Sequence, residues 1–242
     1  MNLISLKSEG EVVFVGDTHG DLEASQDVIQ RYFKPRTKIC FLGDYVDRSP
    51  YSKENVEFLW KQKEKTPEQI YLLKGNHETY CIKDFFPADF WLDLNETEKQ
   101  EYSKLFSPLP LAISVGNIIA MHGALPEISN LEEIEGIKQE DQNWKNIVWG
   151  DFIPNLDADG NGIYGGTRSR FGEKYFKGIM EKIGKEVLIR SHDPEAEMKM
   201  FNNKCLTLFT SCAYGIKRVV AIADFDKHPE IKSIDDLLIE VV

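Results

Sequence analysis

Three predicted strands in the first third of the chain each end in a short polar run that opens with glycine. In chain order the runs are GDTHG from residue 16, GDYVDR from residue 43 and GNHE from residue 75. The carboxyl ends of parallel strands meet at one edge of a sheet, where ligand sites assemble in α/β folds. The glycines allow tight turns and a close approach of the backbone to a bound group. This pattern predicts that Asp, Asn and His side chains gather in one site.

The spacing of apolar residues predicts strands that first alternate with helices and later follow one another. The predicted strands are Glu11–Val15, 38–42, 70–73, 111–115, Ile118–Met121, 187–189, 205–209 and 219–223. The predicted helices cover residues 22–33, 55–65, 84–106 and 173–183, and the stretch from the hairpin to Gly166 is expected to be rich in loops. This order is typical of an α/β fold with α+β character, in which two packed mixed sheets are flanked by helices. Without repeats or a linker rich in Pro, Gly or Ser, residues 1–242 are expected to form a single domain.

The histidines follow the same pattern as the polar runs. Of the five in the chain, only His228 lies away from a predicted strand end. A single histidine of this kind is more often a hydrogen-bonded core or turn residue. Four of them beside Asp or Asn favour a metal site, and mixed imidazole, carboxylate and amide ligands suit Mn, Fe or Zn better than calcium.

The three blocks are followed in order by HG at residue 122 and RSH at residue 190. Together these five blocks closely resemble the calcineurin-like metallophosphoesterases. Within that superfamily the chain is similar to the PPP family of serine/threonine protein phosphatases. The resemblance runs from Asp17 to Tyr214, and the ordered set is far more specific than any single block. It implies the metallophosphoesterase fold and a catalytic domain that hydrolyses phosphate esters.

The resemblance also implies a dinuclear metal centre. Asp17 and His19 would hold one ion, and Asp44 would bridge to the second. The second ion would take Asn76, His122 and His192. Manganese is the first expectation for both ions, with Fe, Zn or Mg as alternatives. Two such ions about 3.5–4 Å apart can share a hydroxide and clamp the attacking and leaving oxygens of a phosphoryl transfer.

Three residues beside the metal ligands would supply the rest of the chemistry. Arg48 can place a planar guanidinium on the non-bridging phosphate oxygens. His77 resembles the general acid of the family, which protonates the departing oxygen, and Asp47 would orient it and keep it charged. The alternative for Asp47 and Arg48 is a simple ion pair at the surface.

Two further substrate-binding residues are implied by weaker resemblances. The segment around Arg168 is similar to the family segment that carries a second phosphate-binding arginine, but its spacing is shorter, and Arg170 is the substitute. Tyr214 matches the tyrosine that borders the active site in the family. The family's neighbouring Asn and Cys are here Ala213 and Gly215, and the following loop is shorter. Selectivity carried by that loop is therefore not transferred to this chain.

Composition excludes several kinds of partner. The 29 lysines and arginines against 40 acidic residues give a net charge of −11, whereas nucleic-acid binding and polybasic membrane attachment need a basic surface. The sequence shows no secretory signal, and its four cysteines show no CxxC spacing, so reduced thiols and a cytoplasmic location are expected. No obligate subunit is evident.

The sequence thus predicts a metal-dependent phosphomonoesterase, foremost a protein-serine/threonine phosphatase whose substrate is a phosphoprotein or phosphopeptide. Some compact relatives in the family also accept phosphotyrosine. The closest alternative is hydrolysis of a dinucleoside polyphosphate such as diadenosine tetraphosphate. A metal-binding scaffold without turnover is the remote alternative.

One other motif imitates a metal site. Residues 157–162, DADGNG, match the start of an EF-hand loop. The twelfth position, where calcium needs a bidentate glutamate, is Arg168. We therefore expect a polar loop near the rim of the active site.

Overall fold

Two mixed β-sheets form the centre of the molecule. The computed structural model describes residues 1–156 and 168–242. The strands are β1 (Leu3–Leu6), β2 (Glu11–Val15), β3 (Thr37–Phe41), β4 (Ile70–Leu72), β5 (Ala112–Val115), β6 (Ile118–Met121), β7 (Asp151–Phe152), β8 (Arg170–Phe171), β9 (Val187–Arg190), β10 (Lys199–Met200), β11 (Cys205–Thr207), β12 (Val219–Asp224) and β13 (Leu238–Val241). The helices are α1 (Leu22–Tyr32), α2 (Ser52–Lys65), α3 (Asp89–Leu92), α4 (Glu96–Phe106), α5 (Gln142–Trp149) and α6 (Glu173–Lys182).

The sheet topology confirms the predicted fold class. One sheet has six strands in the order β1-β5-β6-β9-β11-β10, and the other has five in the order β13-β12-β2-β3-β4. In the five-stranded sheet β2, β3 and β4 run parallel, while β12 pairs antiparallel with β2. In the six-stranded sheet β5 and β6 form the predicted antiparallel hairpin, and β6 runs parallel to β9. β7 and β8 form a separate two-stranded sheet.

The sheets face each other across a shared apolar layer. Phe14 of β2 and Cys40 of β3 belong to the same buried cluster as Ile113, Ala120 and Ile189 of the six-stranded sheet. The outer face of the five-stranded sheet packs on α1, α2 and α4. The outer face of the six-stranded sheet packs on α5 and α6. Strands buried on both faces become continuous apolar runs, which explains the Val12–Val15 stretch.

Several predicted boundaries are corrected by the structure. The helix expected over residues 84–106 is two helices, α3 and α4, because Asn95 caps a new helix start with its side chain and forms a capping box with Glu98. The stretch expected to be loops contains α5, whose start is capped by Asp141. Residues 157–167, and with them the EF-hand-like run, lie outside the described residues.

The topology brings the loops after β2, β3, β4, β6 and β9 to one edge of the two sheets. A backbone bridge between Asp17 and Phe209 joins the sheets at this edge. None of the helices in residues 1–156 and 168–242 combines the length and apolar character that crossing a bilayer requires. The edge where the loops meet therefore carries the candidate site.

Candidate metal centre and active site

The six predicted metal ligands lie together at this edge and follow five strand ends, with Asp17 and His19 both in the loop after β2. They are buried to at least 96% of their surface: Asp17, His19, Asp44, Asn76, His122 and His192. The parallel strands β2, β3 and β4 deliver Asp17, Asp44 and Asn76, while the other sheet delivers His122 and His192. Residues from both sheets are therefore needed to complete the site.

The backbone at this edge adopts conformations that L-residues rarely take. Positive φ angles occur at His19 (45°), Asp44 (53°), Asp47 (69°), Arg48 (71°) and His192 (77°). Strain of this kind clusters at functional sites, where surrounding structure holds it in place.

Glycine is required where the second and third loops cross. A Cβ on Gly75 would lie 2.2 Å from Asp44 Oδ1, and one on Gly43 would lie 2.4 Å from the Gly75 nitrogen. The polar runs therefore need these glycines, as their sequence pattern indicates.

Glu78 organises the crossing loops, a role that the sequence analysis missed. Its carboxylate accepts hydrogen bonds from the backbone N–H groups of Asp44 (2.8 Å), Tyr45 (2.8 Å) and Gly75 (2.9 Å). Its place in the GNHE run, two residues after Asn76 and next to His77, was the signal in the sequence. Glu78 fixes the loop that carries Asp44.

Two groups of side chains have the spacing that metal ions require. His19, Asp44 and His77 form one, and Asp44, His122 and His192 form the other. Because Asp44 belongs to both, its position agrees with the predicted bridge. His19 Nε2 lies 3.8 Å from an oxygen of Asp17 and 3.8 Å from one of Asp44. The presence of His77 in the first group was not predicted.

The second group is tighter. His122 Nε2 lies 3.0 Å from Asn76 Oδ1, 3.1 Å from His192 Nδ1 and 3.4 Å from Asp44 Oδ1. These four side chains converge on one point. They supply imidazole, amide and carboxylate donors, the mixed set that suits first-row divalent metals.

The histidine tautomers fit metal binding. His19 Nδ1 lies 2.9 Å from the Val46 carbonyl oxygen, and His122 Nδ1 lies 3.0 Å from that of Leu42. Each Nδ1 therefore carries the proton and leaves the Nε2 lone pair free as a ligand. Burial lowers the pKa of His19, His122 and His192, which keeps the rings neutral. His192 Nε2 is buried without a hydrogen-bond partner among the described residues.

The carboxylates show why cations belong here. Burial, with repulsion from Asp44, raises the pKa of Asp17 to about 8, and burial raises the pKa of Asp44 to about 8. Ionised carboxylates this deep need compensating charge. The donor set and its electrostatics therefore fit two divalent ions.

Asp151, at the start of β7, is a further residue that the sequence did not indicate. Its Oδ1 lies 3.6 Å from His192 Nε2 and 3.5 Å from Arg190, while its Oδ2 lies 3.4 Å from Arg168. Arg190 is fully buried and donates to the Gly123 carbonyl at 3.0 Å. At 3.6 Å the contact with His192 is not a hydrogen bond, so Asp151 acts on that ring as a nearby negative charge and on the two arginines as an ion-pair partner.

Asp47 and His77 form a buried pair. Asp47 Oδ2 contacts His77 Nδ1, and its Oδ1 accepts the Phe90 N–H at 2.8 Å. His77 Nε2 lies 3.9 Å from Asp44 Oδ2 and so faces the metal ligands. Burial lowers the pKa of His77 and raises that of Asp47 to about 7. The contact opposes both shifts, since it joins opposite charges when His77 is protonated and Asp47 is ionised.

The two arginines and Tyr214 border the same centre. Arg48 donates from Nε to the Tyr214 hydroxyl at 3.0 Å and from a terminal nitrogen to the Pro87 carbonyl at 3.4 Å. Asp47 is buried against His77, so a surface pair with Arg48 does not describe it. Arg168 reaches Asp151 beside His192, whereas Arg170 is exposed on β8. Arg168 is therefore better located than Arg170 to face the site.

Comparisons with known proteins agree with this geometry. Residues 10–196 match the family model described as calcineurin-like phosphoesterase. Serine/threonine-protein phosphatase T of Aspergillus oryzae is 29% identical over 233 residues, which cover 90% of this chain and 48% of that protein. The chain spans about half the length of the curated relatives it matches.

Two solved structures have a similar architecture. A protein serine/threonine phosphatase from Saccharomyces cerevisiae has a TM-score of 0.82 at 22% identity, over 99% of this chain and 83% of that one. A candidate diadenosine tetraphosphatase has a TM-score of 0.60 at 18% identity, over 99% of this chain and 97% of that one. At these identities the likeness establishes a shared fold.

Proposed function

The chain belongs to the calcineurin-like phosphoesterase family, and from that membership we propose that it is a metal-dependent phosphomonoesterase acting on phosphoserine and phosphothreonine in proteins. The observation that carries the proposal is that the two groups of side chains able to hold a metal ion lie together with Asp47, His77 and Arg48 at one edge of the sheets. The description of the matched relatives as serine/threonine phosphatases favours phosphoprotein as the substrate class.

The metal centre in this proposal uses the residues predicted from the sequence. Asp17 and His19 would hold one ion, Asn76, His122 and His192 would hold the other, and Asp44 would be shared between them. Manganese is the proposed metal. When bound, the two ions would supply water activated for attack near neutral pH and positive charge for the phosphoryl oxygens.

The arginines provide the remaining positive charge toward the phosphoryl group. Arg48 and Arg168 both lie close enough to the centre for their charges to act on Asp44, and Arg48 is held by Tyr214 and Arg168 by Asp151. Planar guanidinium matches the geometry of phosphate oxygens and stabilises the charge that spreads over them in the transition state. This local charge explains how a protein with a net charge of −11 attracts an anion.

His77 is the proposed proton donor. Its Nδ1 is engaged by Asp47, so Nε2, which faces the centre, is the nitrogen that can give a proton to the departing serine or threonine oxygen. Asp47 orients the ring and favours its protonated form. An alkoxide leaves poorly without a proton, and this step is therefore required for peptide substrates.

We also propose that residues 1–242 form one catalytic domain. The shared apolar layer joins residues of both sheets, and each sheet contributes ligands to the same centre. Neither sheet would complete the site without the other.

The proposal is tested by phosphate release from matched phosphoserine, phosphothreonine and phosphotyrosine peptides, with diadenosine tetraphosphate assayed beside them, using manganese-loaded protein. We expect turnover of the phosphoserine and phosphothreonine peptides and none of the dinucleotide. The variant His77→Asn should lose peptide turnover, and His228→Asn, at an exposed histidine outside the site, should retain it.

The other outcomes contradict the proposal in distinguishable ways. Turnover of the dinucleotide alone would move the function to nucleotide metabolism while keeping the mechanism. Turnover of phosphotyrosine alone would change the substrate class. Inactivity on every substrate by protein with two bound ions would indicate a metal-binding scaffold.

A further inference from the structure

The loop that carries Tyr214 lies between β11 of the six-stranded sheet and β12 of the five-stranded sheet. We call residues 211–218 the Tyr214 loop. Its base is closed where the Val219 N–H donates to the Phe209 carbonyl at 2.8 Å and Thr210 Oγ1 donates to the Val219 carbonyl at 2.7 Å. Above this base most of the side chains are exposed: Cys212, Tyr214, Ile216 and Lys217. Packing alone gives the loop little support, because few of its side chains bury apolar surface.

The position of this loop matters for Arg48. The Tyr214 hydroxyl accepts a hydrogen bond from Arg48 Nε at 3.0 Å, and the Arg48 guanidinium carbon lies 5.9 Å from the centre of the Tyr214 ring. The same ring lies 5.7 Å from the ring of His19. Tyr214 therefore orders a long, flexible arginine beside the metal ligands.

Asp21 connects the Tyr214 loop to the start of α1, which it caps. Its Oδ2 accepts from the Cys212 N–H at 2.9 Å and from Arg218 Nε at 2.9 Å. Its Oδ1 accepts from a terminal nitrogen of Arg218 at 2.9 Å and from the Ala24 N–H, which caps the helix, at 3.1 Å. The carboxylate thus holds both ends of the loop with a two-pronged guanidinium contact and a backbone contact.

The Asp21–Arg218 ion pair is stronger than an ordinary surface ion pair. The Asp21 side chain is 5% exposed and the Arg218 side chain 21%. A paired, largely buried guanidinium and carboxylate with two parallel hydrogen bonds is more ordered than an ordinary surface pair. The additional contact of Arg218 with Glu23 involves a side chain that is 80% exposed, and it contributes little.

We propose that Asp21 and Arg218 are positioning residues for substrate binding: they fasten the Tyr214 loop to α1, so that Tyr214 holds Arg48 in the orientation that receives the phosphate. Neither residue touches the substrate. The kinetic consequence rests on the phosphatase function proposed above, whereas the fastening of the loop does not.

The test compares Arg218→Gln with the wild type in two measurements. The first is hydrogen exchange of the peptide that covers the Tyr214 loop, which should become faster in the variant while exchange of α1 stays unchanged. The second is the KM for a phosphoserine peptide, which should rise about 3- to 10-fold, because binding must then order the freed Arg48 side chain. The kcat should fall by less than the KM rises, because the freed Arg48 side chain is already ordered when the phosphate binds.

Matched controls separate this role from general effects. Lys217→Gln removes the same charge from the neighbouring exposed residue, and Glu23→Gln removes only the exposed contact of Arg218. Both should leave exchange and KM unchanged. Arg218→Lys retains the charge and one hydrogen bond, and it should restore part of both properties.

The outcomes are decisive for the proposal. Faster loop exchange with a raised KM supports it. Unchanged exchange in Arg218→Gln overturns it, and so does faster exchange with an unchanged KM. If the wild type turned over no phosphoester, the proposed function would fail, and the exchange measurement would still decide whether Asp21 and Arg218 fasten the loop.

Discussion

The two ring nitrogens of His77 have different neighbours, and this difference separates proton transfer from metal binding. Nδ1 contacts Asp47, and Nε2 lies near Asp44 among the metal ligands. The backbone carbonyl of His77 accepts a hydrogen bond from the Trp91 indole at 2.8 Å, which fixes the residue from the other side. Proton donation and metal ligation by Nε2 predict different results on substitution.

Replacing His77 by Asn should leave metal content intact and lower kcat by about 10²- to 10⁴-fold, the usual contribution of a positioned proton donor. The loss should be largest for alkyl phosphates and smallest for p-nitrophenyl phosphate, whose leaving group needs no proton. Metal analysis and the two assays check this. Loss of an ion from the variant would show that His77 is a ligand.

Replacing His192 by Ala should lower the number of bound ions, because the ring belongs to the tighter ligand group. Metal analysis after dialysis measures the stoichiometry. His228→Ala is the control, since His228 is exposed and outside both groups. An unchanged stoichiometry in His192→Ala would contradict its role as a ligand.

At this scale the sequence predicted the residues that follow strand ends and missed those that support them from elsewhere. Asp17, Asp44 and Asn76 could be found because a local pattern, strand then glycine then donor, marks each of them. Asp151 could not, because it approaches His192 only through the packing of α5 and β7. Asp21 and Arg218 are separated along the chain, so their pairing likewise requires the tertiary structure.

Secondary-structure elements position the site through their ends. The parallel strands β2, β3 and β4 end at one edge, and helix caps decide where the intervening segments turn. Between α3 and α4, Asn95 accepts hydrogen bonds from the N–H groups of Thr97 and Glu98, both at 3.0 Å. This cap separates the short helix beside Asp47 from the longer α4.

Asn95→Ala should lower the free energy of unfolding by about 0.5–2 kcal/mol, because a capping side chain is lost. Urea denaturation measures the effect. Thr97→Ala, an exposed change in the first turn of the same helix, should fall within about 0.5 kcal/mol of the wild type. Equal effects of the two substitutions would contradict the assigned cap.

Among the elements, long periodic segments were predictable and short edge segments were not. The periodicity of α1, and the Gly116-Asn117 turn between the two apolar runs of the hairpin, gave those elements almost to the residue. β13 is largely exposed or half-buried, so its pattern resembles a loop, and it becomes a strand by pairing with β12. A sequence window contains no information about that pairing partner.

For the whole molecule, ionising the buried carboxyl groups of the site lowers the stability of the metal-free protein, and bound metal ions would offset that charge. Burial raises the pKa of Asp17, Asp44 and Glu78 to about 8 each, well above the values of the unfolded chain. The folded metal-free protein therefore holds protons that the unfolded chain has released. Raising the pH removes these protons and lowers the free energy of unfolding until the folded groups are ionised.

The metal-free protein should consequently be less stable at about pH 8 than at about pH 6.5. The histidines of the unfolded chain are about half protonated at pH 6.5 and lose these protons by pH 8, which opposes the trend. Each of the three carboxyls with a raised pKa holds more of a proton across the window, so their effect is the larger one. Thermal unfolding in the presence of a chelator measures the difference. Metal-loaded protein should show a smaller loss of stability between these two pH values. A metal-free protein that gained stability as the pH rose would contradict the account.

The most direct test of the central claim is a titration of metal-stripped protein with Mn²⁺, in which bound metal and phosphate release from a phosphoserine peptide are followed together. The account predicts that binding saturates at two ions per chain and that activity, absent in the stripped protein, appears as the second site fills. Full activity in the stripped protein, or saturation without any activity, would contradict it.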